Sequence, residues 1–207
     1  MQSLTLLQTS NPTLLWSHRD FIPFLERQFI RCGVPKRYWG TTLENKQLGE
    51  PIRESLYLYG NTGTGKTHEA AKLAKAKIIA STQLYGESQF VNLSKVAMIG
   101  VAKLLDNLKK SYNNSGLTEG EIVAHFSTCN LLILDDLGAD ALSDWGVSKL
   151  FDIIDERYAN LLPTVITSNY SPRDLFSRLG GSTTAQAIVS RLCTYERRQL
   201  EGKDRRL

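Results

Sequence analysis

One short stretch of the chain has the residue types and spacing needed to hold a polyphosphate. Residues 60–67 read G-N-T-G-T-G-K-T, which matches the pattern G-x-x-x-x-G-K-T. Glycines let the backbone curl with its N–H groups pointing inward, where they can surround phosphate oxygens. An apolar run at 56–59 precedes the stretch, and strong helix formers at 66–77 follow it. The sequence therefore predicts the strand, loop and helix that this motif requires, in preference to a chance glycine-rich turn before a lysine.

The motif also predicts what its residues do. Lys66 can reach the β- and γ-phosphates of a nucleotide, and the hydroxyl of Thr67 can bind Mg²⁺. The N-terminus of the following helix adds a partial positive charge. We expect nucleotide contacts from the whole loop, namely Gly60, Asn61, Thr62, Gly63, Thr64, Gly65, Lys66 and Thr67.

A pair of acids follows the most apolar segment of the chain. Residues 131–134 read L-L-I-L, as expected for a central strand of a parallel sheet, and Asp135 and Asp136 come next. A carboxylate at the carboxyl edge of a strand can hold Mg²⁺ beside a phosphate loop, which is the role expected of Asp135. Asp136 is placed to orient or deprotonate an attacking water. The alternative is that both acids only cap the next turn, and the phosphate loop makes this the less favoured interpretation.

A polar amide follows another predicted strand, at 164–168. Asn169 could contact the γ-phosphate or the attacking water. Asparagine is also common in turns at strand ends, because its side chain bonds to nearby backbone groups. The spacing alone leaves both interpretations open.

The rest of the chain must position these groups. Strands are expected at 56–59, 88–93, 131–134 and 164–168, and helices at 18–32, 66–77, 95–110, 118–126, 144–160, from Pro172 and at 185–193. Gly33 is expected to stop the first of these helices, and the spacing of Thr118 and Glu121 predicts a capping box at the start of the fourth. Such alternation predicts a parallel, doubly wound α/β sheet with right-handed connections. The first helix is expected to pack on the core, with docking of a partner as the alternative.

The composition is that of a globular chain. It has 207 residues, of which 42% are hydrophobic and 22% charged, enough for one domain with a sizeable core. A net charge of +4 permits nucleic-acid binding without indicating it. Cys32, Cys129 and Cys193 form no C-x-x-C pattern, which favours thiols in a reducing compartment. Because neither a long apolar run nor a signal-peptide pattern is present, we expect a cytoplasmic protein that does not contact a membrane.

An ordered set of motifs resembles the DnaC/IstB-type family of AAA+ ATPases, the bacterial helicase loaders and transposition ATPases. The matching segments are 60–68, 131–138, 164–170 and 188–192, and residues 33–38 resemble the G-[IV]-P-x-R-Y entry to that domain. The resemblance implies a P-loop AAA+ domain over residues 33–207 without a separate C-terminal lid domain. It leaves residues 1–32 as a short N-terminal segment that could dock a partner.

The same resemblance implies a role for each motif residue. It assigns nucleotide binding to residues 60–68, which adds His68 to the loop. It assigns metal binding to Thr67 and Asp135, and catalysis to Asp136, Asn169 and Arg191. Arg191 matches the arginine finger that reaches the ATP of a neighbouring subunit, a contact typically worth about 10³–10⁵ in rate. Hydrolysis would then depend on self-association into a ring or a helical oligomer. A surface salt bridge is the alternative for Arg191. Asn169 matches the residue called sensor 1 in that family, and Arg205 or Arg206 is the candidate for a second sensor.

A basic helix is the candidate for nucleic-acid contact. Lys103, Lys109 and Lys110 could follow the phosphates of single-stranded DNA, and Tyr112 could stack on a base. A charge cluster of this kind is often only the solvated face of a helix. The resemblance favours the DNA contact, and it implies a replicative helicase as the protein partner or, in the alternative, a transposase.

The sequence thus favours an ATP hydrolase that acts with Mg²⁺ in DNA replication as a DnaC-like helicase loader. An IstB-like transposition ATPase is the first alternative. A small-molecule P-loop kinase and an ATP-binding module without hydrolysis are less favoured, because the paired acids and Asn169 accompany an intact phosphate loop. The absence of an N-K-x-D guanine signature favours ATP over GTP.

Overall fold

A parallel β-sheet forms the centre of the fold in the computed structural model. The structure describes residues 15, 17–40, 52–85, 89–112, 116–202 and 204. The strands of this sheet are β1 (Leu56–Tyr59), β4 (Val96–Gly100), β5 (Leu131–Leu137), β6 (Thr164–Ser168) and β7 (Glu196–Gln199). A separate antiparallel hairpin pairs β2 (Thr82–Tyr85) with β3 (Gln89–Asn92). The order across the main sheet is β4-β5-β6-β1-β7. The end of β6 therefore lies between the end of β1, where the phosphate loop begins, and the end of β5, where the acids lie.

Helices cover both faces of the sheet. The first face carries α1 (Phe21–Arg31) and α2 (Lys66–Ala80), and the second carries α3 (Val101–Ser111), α4 (Glu119–Thr128), α5 (Asp144–Ala159), α6 (Pro172–Arg178) and α7 (Thr183–Leu192). Residues of β5 alternate between the two cores: Leu131 and Ile133 face α2, whereas Leu132 and Leu134 face α5. All four are fully buried, as the period of two in a strand covered on both faces requires. The predicted parallel, doubly wound α/β fold is confirmed.

Capping distinguishes α2 from four helices on the other face, α4 to α7, whereas α3 also lacks a side-chain cap. The hydroxyl of Thr118 accepts from the N–H of Glu121 at 3.2 Å, and the Glu121 carboxylate accepts from the N–H of Thr118 at 2.8 Å, so the predicted capping box of α4 is confirmed. In α5, α6 and α7 a serine hydroxyl at the N-cap accepts from a backbone N–H of the first turn. In contrast, α2 begins at Gly65 without a side-chain cap. The N–H groups of its first turn can therefore be bonded by a ligand.

The end of α1 fixes the N-terminal segment to the edge of the sheet. Gly33 ends the helix with φ +77, and the N–H of Val34 donates to the carbonyl of Phe29 at 2.9 Å, as in a Schellman motif. The N–H of Met98 in the edge strand β4 donates to the carbonyl of Cys32 at 2.7 Å. A Cβ at Gly33 would lie 2.2 Å from the Met98 carbonyl oxygen, so only glycine fits this turn.

The apolar face of α1 is part of the core. Phe21, Leu25 and Phe29 are fully buried among residues of α2 and the sheet, whereas Ile30 is 66% exposed. The helix therefore packs on the core, as preferred from the sequence. A docking role for residues 1–32 stays a prediction, as does the domain boundary at residue 33, and residues 1–14 lie outside the described part of the chain.

The predicted helix at 95–110 is wrong in its first part. Residues 96–100 form β4, which pairs with β5 in the register Val96↔Leu131 to Gly100↔Asp135, and α3 begins only at Val101. A short apolar run is compatible with either a helix or a buried strand, and its periodicity cannot decide between them. Pairing with the central strand decides it here, and Gly100 ends the strand with an extended backbone.

Three other strands differ from the expectation, and one of them, β2, was not predicted. The predicted strand at 88–93 is observed as β3, but it belongs to the hairpin rather than to the parallel sheet. The edge strand β7 was not predicted, because its sequence E-R-R-Q has neither an apolar run nor an apolar alternation. All four of its residues are exposed, and charged residues are typical of sheet edges, where they prevent pairing with another chain.

The structure gives no membrane span and no disulfide within the residues described. Each helix there is too short or too polar to cross a bilayer. Cys32, Cys129 and Cys193 are free thiols, and burial raises the pKa of the first to about 11.

Candidate active site

The predicted groups meet around a cavity of about 400 Å³ at the carboxyl edge of the sheet. Asn169 enters between the phosphate loop and the acids, because β6 lies between β1 and β5. Asp135 does not line the cavity, but it bonds to Thr67, which does. The wall consists of Arg37, Tyr38, Thr62, Gly63, Gly65, Lys66, Thr67, His68, Asp136, Ala139 and Asn169.

The glycines of the loop have positions that other residues could not take. Gly63 and Gly65 have φ of +80 and +98, in the left-handed region that favours glycine. A Cβ at Gly60 would lie 2.1 Å from the carbonyl oxygen of Leu200, and one at Gly63 would lie 2.0 Å from a carboxylate oxygen of Asp204. The residues that follow β7 therefore pass close over the phosphate loop.

The remaining loop residues build its interior. The Nζ atom of Lys66 donates to the carbonyl oxygens of Gly60 and Asn61, each at 2.8 Å, and the Thr64 hydroxyl donates to the same Asn61 carbonyl at 2.9 Å. Thr64 is 2% exposed and Lys66 5% exposed. These three loop residues, Gly60, Asn61 and Thr64, thus shape the loop without lining the cavity.

Side-chain oxygens suited to a hard cation lie together at the end of the phosphate loop. The hydroxyls of Thr67 and Thr167 donate to one oxygen of the Asp135 carboxylate, at 3.0 and 2.6 Å. Burial raises the pKa of Asp135, while the hydrogen bonds from both threonines act in the opposite direction. Because Mg²⁺ prefers carboxylate and hydroxyl oxygens next to nucleotide phosphates, Thr67 and Asp135 fit the predicted metal.

Asp136 reaches the cavity through an irregularity in β5. The register with β6 shifts between Leu134 and Leu137, so that β5 has one extra residue there. Asp136 takes a φ of +61, and its N–H donates to the hydroxyl of Thr167 at 2.9 Å. A bulge of this kind redirects a side chain, and here it turns an exposed carboxylate into the cavity next to the half-buried Asp135.

One wall of the cavity includes Arg37 and Tyr38, which had no predicted role, beside His68, which was predicted to bind the nucleotide. The ring of Tyr38 meets the ring of His68 edge to face at 5.8 Å, and the Arg37 guanidinium lies 5.4 Å from the centre of the Tyr38 ring. Lys75 of α2 is buried and donates to the Tyr38 carbonyl, and burial lowers the pKa of its ammonium to about 8. The motif at 33–38 was the signal in the sequence, but only the fold places it beside the loop. Ala139, which also lines the cavity, had no such signal.

Arg191 lies outside the cavity of its own chain. Its guanidinium donates to the carboxylate of Asp155 at 2.6 and 2.8 Å, and it lies over the rings of Phe151 and Tyr158 at 5.2 and 5.7 Å. The side chain is 27% exposed, so it can reach solvent or a neighbour. Its role as an arginine finger stays a prediction, and Arg205 and Arg206 lie outside the described residues.

The basic cluster on α3 is exposed and carries aromatic neighbours. Lys110 forms an ion pair with Asp106 at 2.6 Å, whereas the Lys109 ammonium lies 5.7 Å from the ring centre of Trp145. The ring of Tyr112 lies 6.4 Å from the same Trp145, and its hydroxyl donates to Glu119. Lys103 is exposed on the same helix, and no member of the cluster lines the nucleotide cavity.

Known proteins resemble this chain in both sequence and fold. The replicative helicase loader DnaC of Escherichia coli (strain K12) is 28% identical over 126 residues, which are 61% of this chain and 46% of that protein. The replicative helicase loader DnaI of Bacillus subtilis (strain 168) is 28% identical over 123 residues, 59% of this chain and 35% of that protein. The chain thus spans about half the length, or less, of these curated relatives.

A crystal structure of the DnaC helicase loader superimposes with a TM-score of 0.58 at 25% identity, over 82% of this chain and 100% of that chain. The fold is thus that of an AAA+ P-loop domain, and the resemblance inferred from the motifs is confirmed. The description "IstB-like ATP binding protein" applies to the family that matches residues 51–204. Since this match covers the phosphate loop, the paired acids and Asn169, the chain belongs to the family of IstB-like ATP-binding proteins.

Proposed function

We propose that the protein is an ATP hydrolase that loads a replicative helicase, with hydrolysis at the contacts between its own subunits. The observation that carries the proposal is the meeting of the phosphate loop, Asp136 and Asn169 around one cavity. The names of the curated relatives support helicase loading as the purpose of this chemistry. The chain shares only part of their length, so helicase loading is proposed here from the ATPase core.

Nucleotide binding follows from the groups that line the cavity. The uncapped N-terminus of α2 and the ammonium of Lys66 supply N–H donors and positive charge for the β- and γ-phosphates. Thr67 and Asp135 would hold Mg²⁺, which when bound neutralises part of the phosphate charge. The aromatic pair of Tyr38 and His68 provides a surface on which a purine can stack.

Hydrolysis requires a water held and activated beside the γ-phosphate. Asp136 turns its carboxylate into the cavity and can accept the proton of that water. Asn169 lines the same cavity and can orient the water or bind a γ-phosphate oxygen. We propose that Arg191 of a neighbouring subunit supplies the remaining positive charge, since it does not line the cavity of its own chain.

The proposal predicts a separation of binding from hydrolysis. Asp136→Asn is expected to keep its affinity for ATP and to lower the turnover rate by about 10²–10⁴, the usual contribution of a general base. Lys66→Ala is expected to weaken ATP binding by about tenfold or more, because it removes a charge-assisted contact to phosphate. Fluorescent nucleotide binding and phosphate release measure the two quantities.

The matched control is Lys72→Ala, which removes an exposed lysine on the same helix that pairs with Glu69 at 2.9 Å. It is expected to behave as the wild type in both assays. Full turnover in Asp136→Asn would disprove the catalytic assignment. Transfer of phosphate to a nucleoside instead of water would favour the small-molecule kinase.

We also propose that the basic cluster on α3 binds single-stranded DNA. The support is the proximity of Lys109, Tyr112 and Trp145, since cations and stacked rings together contact the phosphates and bases of a single strand. The ion pair between Lys110 and Asp106 is exposed, and such pairs contribute only about 0–1 kcal/mol, so phosphates can displace it.

The lysines of this cluster are expected to set the salt dependence of DNA binding. Changing Lys103, Lys109 and Lys110 together to Gln should reduce the slope of log affinity against log salt by about 2, because each lost phosphate contact removes about 0.7 on a single strand. Fluorescence anisotropy with a labelled oligonucleotide measures the slope. A variant with Lys72, Lys77 and Lys95 changed to Gln loses the same charge and should keep the slope. Equal slopes in the wild type and the cluster variant would place the DNA contact elsewhere.

The identity of the protein partner separates helicase loading from transposition. Helicase loading predicts that the replicative helicase of the same cell raises the hydrolysis rate and is deposited on single-stranded DNA in the presence of ATP. Stimulation by a transposase and not by the helicase would favour the transposition alternative, since the matching family is described as IstB-like.

A further inference from the structure

The turn that carries Asp136 has an unusual backbone. Asp136 has φ +61 and Gly138 has φ +82, so two of three consecutive residues take left-handed conformations. Outside glycine, Leu161 is the one further residue of the described chain with positive φ. A residue other than glycine keeps such a conformation only where the surrounding structure imposes it, and such positions cluster at functional sites.

Neighbouring side chains hold this turn from several sides. The hydroxyl of Thr167 accepts from the N–H of Asp136 at 2.9 Å, and the hydroxyl of Ser168 donates to the carbonyl of Leu137 at 2.7 Å. Both residues belong to β6, and they fix the first half of the turn. The second half depends on α6.

Arg178 of α6 holds the second half of the turn. Its Nε donates to the carbonyl of Gly138 and its Nη2 to the carbonyl of Ala139, both at 2.7 Å. The guanidinium also lies 5.7 Å from the ring centre of Tyr170, the residue after Asn169. One planar, two-pronged donor thus joins the turn of the candidate base to the segment of the candidate sensor.

Arg178 itself does not line the nucleotide cavity, whereas Ala139, one of its carbonyl partners, does. It therefore has no direct route to the nucleotide, and its effect must pass through the backbone that it bonds. Without it, the carbonyls of Gly138 and Ala139 lose their donors, and the turn can relax from the strained conformation that directs Asp136 into the cavity.

We propose that Arg178 is a positioning residue that holds Asp136 and Asn169 in the arrangement needed for hydrolysis. The inference rests on the proposed ATPase function of the cavity. It extends that function to a side chain that none of the site motifs includes, and it predicts an effect on turnover without an effect on nucleotide affinity.

The test compares Arg178→Ala with Arg173→Ala, an exposed arginine on the same helix. Arg178→Ala is expected to lower the turnover rate about 10- to 100-fold, the usual effect of displacing a catalytic group by about an ångström. Its affinity for ATP should stay within about twofold of the wild type, since the phosphate loop is untouched. Guanidinium chloride, added well below unfolding concentrations, should restore part of the turnover, because the free ion can bind the two carbonyls. Arg173→Ala should match the wild type.

Each outcome decides the inference. Turnover within twofold of the wild type in Arg178→Ala would overturn it, as would a parallel loss of ATP affinity or a lack of rescue by guanidinium. If Arg178→Ala does not fold, Arg178→Gln, which keeps two of the three methylenes and one donor group, is subject to the same criteria. Asp136→Asn distinguishes failure of the positioning role from failure of the proposed ATPase function. If Asp136→Asn abolishes hydrolysis while Arg178→Ala hydrolyses ATP normally, the proposed function stands and the positioning role fails. If Asp136→Asn hydrolyses ATP normally, the proposed function fails first.

Discussion

Arg157→Met is expected to lower the free energy of unfolding by about 3–5 kcal/mol, because each buried acceptor left without a donor costs about 1–3 kcal/mol. The side chain is completely buried at the end of α5. Its guanidinium donates to the carbonyls of Phe126 and Cys129 at 2.9 and 2.8 Å, to that of Pro163 at 2.7 Å, and to the hydroxyl of Thr164 at 2.9 Å.

These partners explain the size of the effect. The carbonyls of Phe126 and Cys129 lie at the C-terminal end of α4, where helix carbonyls have no partner within the helix. Thr164 begins β6, and Pro163 immediately precedes it. One side chain therefore ties α4, α5 and the central sheet together, and methionine would fill the space while leaving the carbonyls buried without donors. Burial lowers the pKa of Arg157, yet an arginine remains charged at neutral pH.

Urea unfolding followed by circular dichroism measures the change. Arg173→Met is the control, since it makes the same replacement at an exposed site and should alter stability by no more than about 0.5 kcal/mol. Arg157→Lys should also be strongly destabilised, because a single ammonium cannot reach the partners at both the end of α4 and the start of β6. A loss below about 1 kcal/mol in Arg157→Met would show that the carbonyls find other donors.

Arg191→Ala is expected to lower ATP turnover by about 10³ if the residue acts on the nucleotide of a neighbouring subunit. The activity of the wild type should then rise with protein concentration, because assembly completes the site. Mixing Arg191→Ala with Asp136→Asn should restore part of the activity, since one kind of contact in the mixture joins an intact base to an intact finger.

Asp155 provides the control that separates this role from a structural one. In the folded chain it binds Arg191 at 2.6 Å, and both side chains are partly exposed, at 40% and 27%. Such a pair contributes only about 0–1 kcal/mol, so a neighbouring ATP can compete for the arginine. Asp155→Asn should therefore keep or raise the turnover. If Asp155→Asn lost as much activity as Arg191→Ala, the ion pair between α5 and α7 would be the function of Arg191, and the finger assignment would be wrong.

Local chemistry explains what could be predicted from the sequence. The phosphate loop, the capping box of Thr118 and Glu121, and the stop of α1 at Gly33 depend on contacts within a few residues. The central strands were predicted because a strand covered on both faces is apolar throughout. The family resemblance, which the match over residues 51–204 confirms, rests on the same short motifs.

The tertiary structure decided everything that depends on pairing between distant segments. Residues 96–100 are a strand because β5 lies beside them, and Asp136 faces the cavity because β5 slips by one residue against β6. Tyr38 became part of the site only through the packing of its turn against α2. Arg157 and Arg178 resemble ordinary helix arginines in the sequence, and their carbonyl partners lie on other elements. Motif spacing determines which chemistry the chain can perform, whereas the register of its sheet and the packing of its helices determine which side chains hold that chemistry in place.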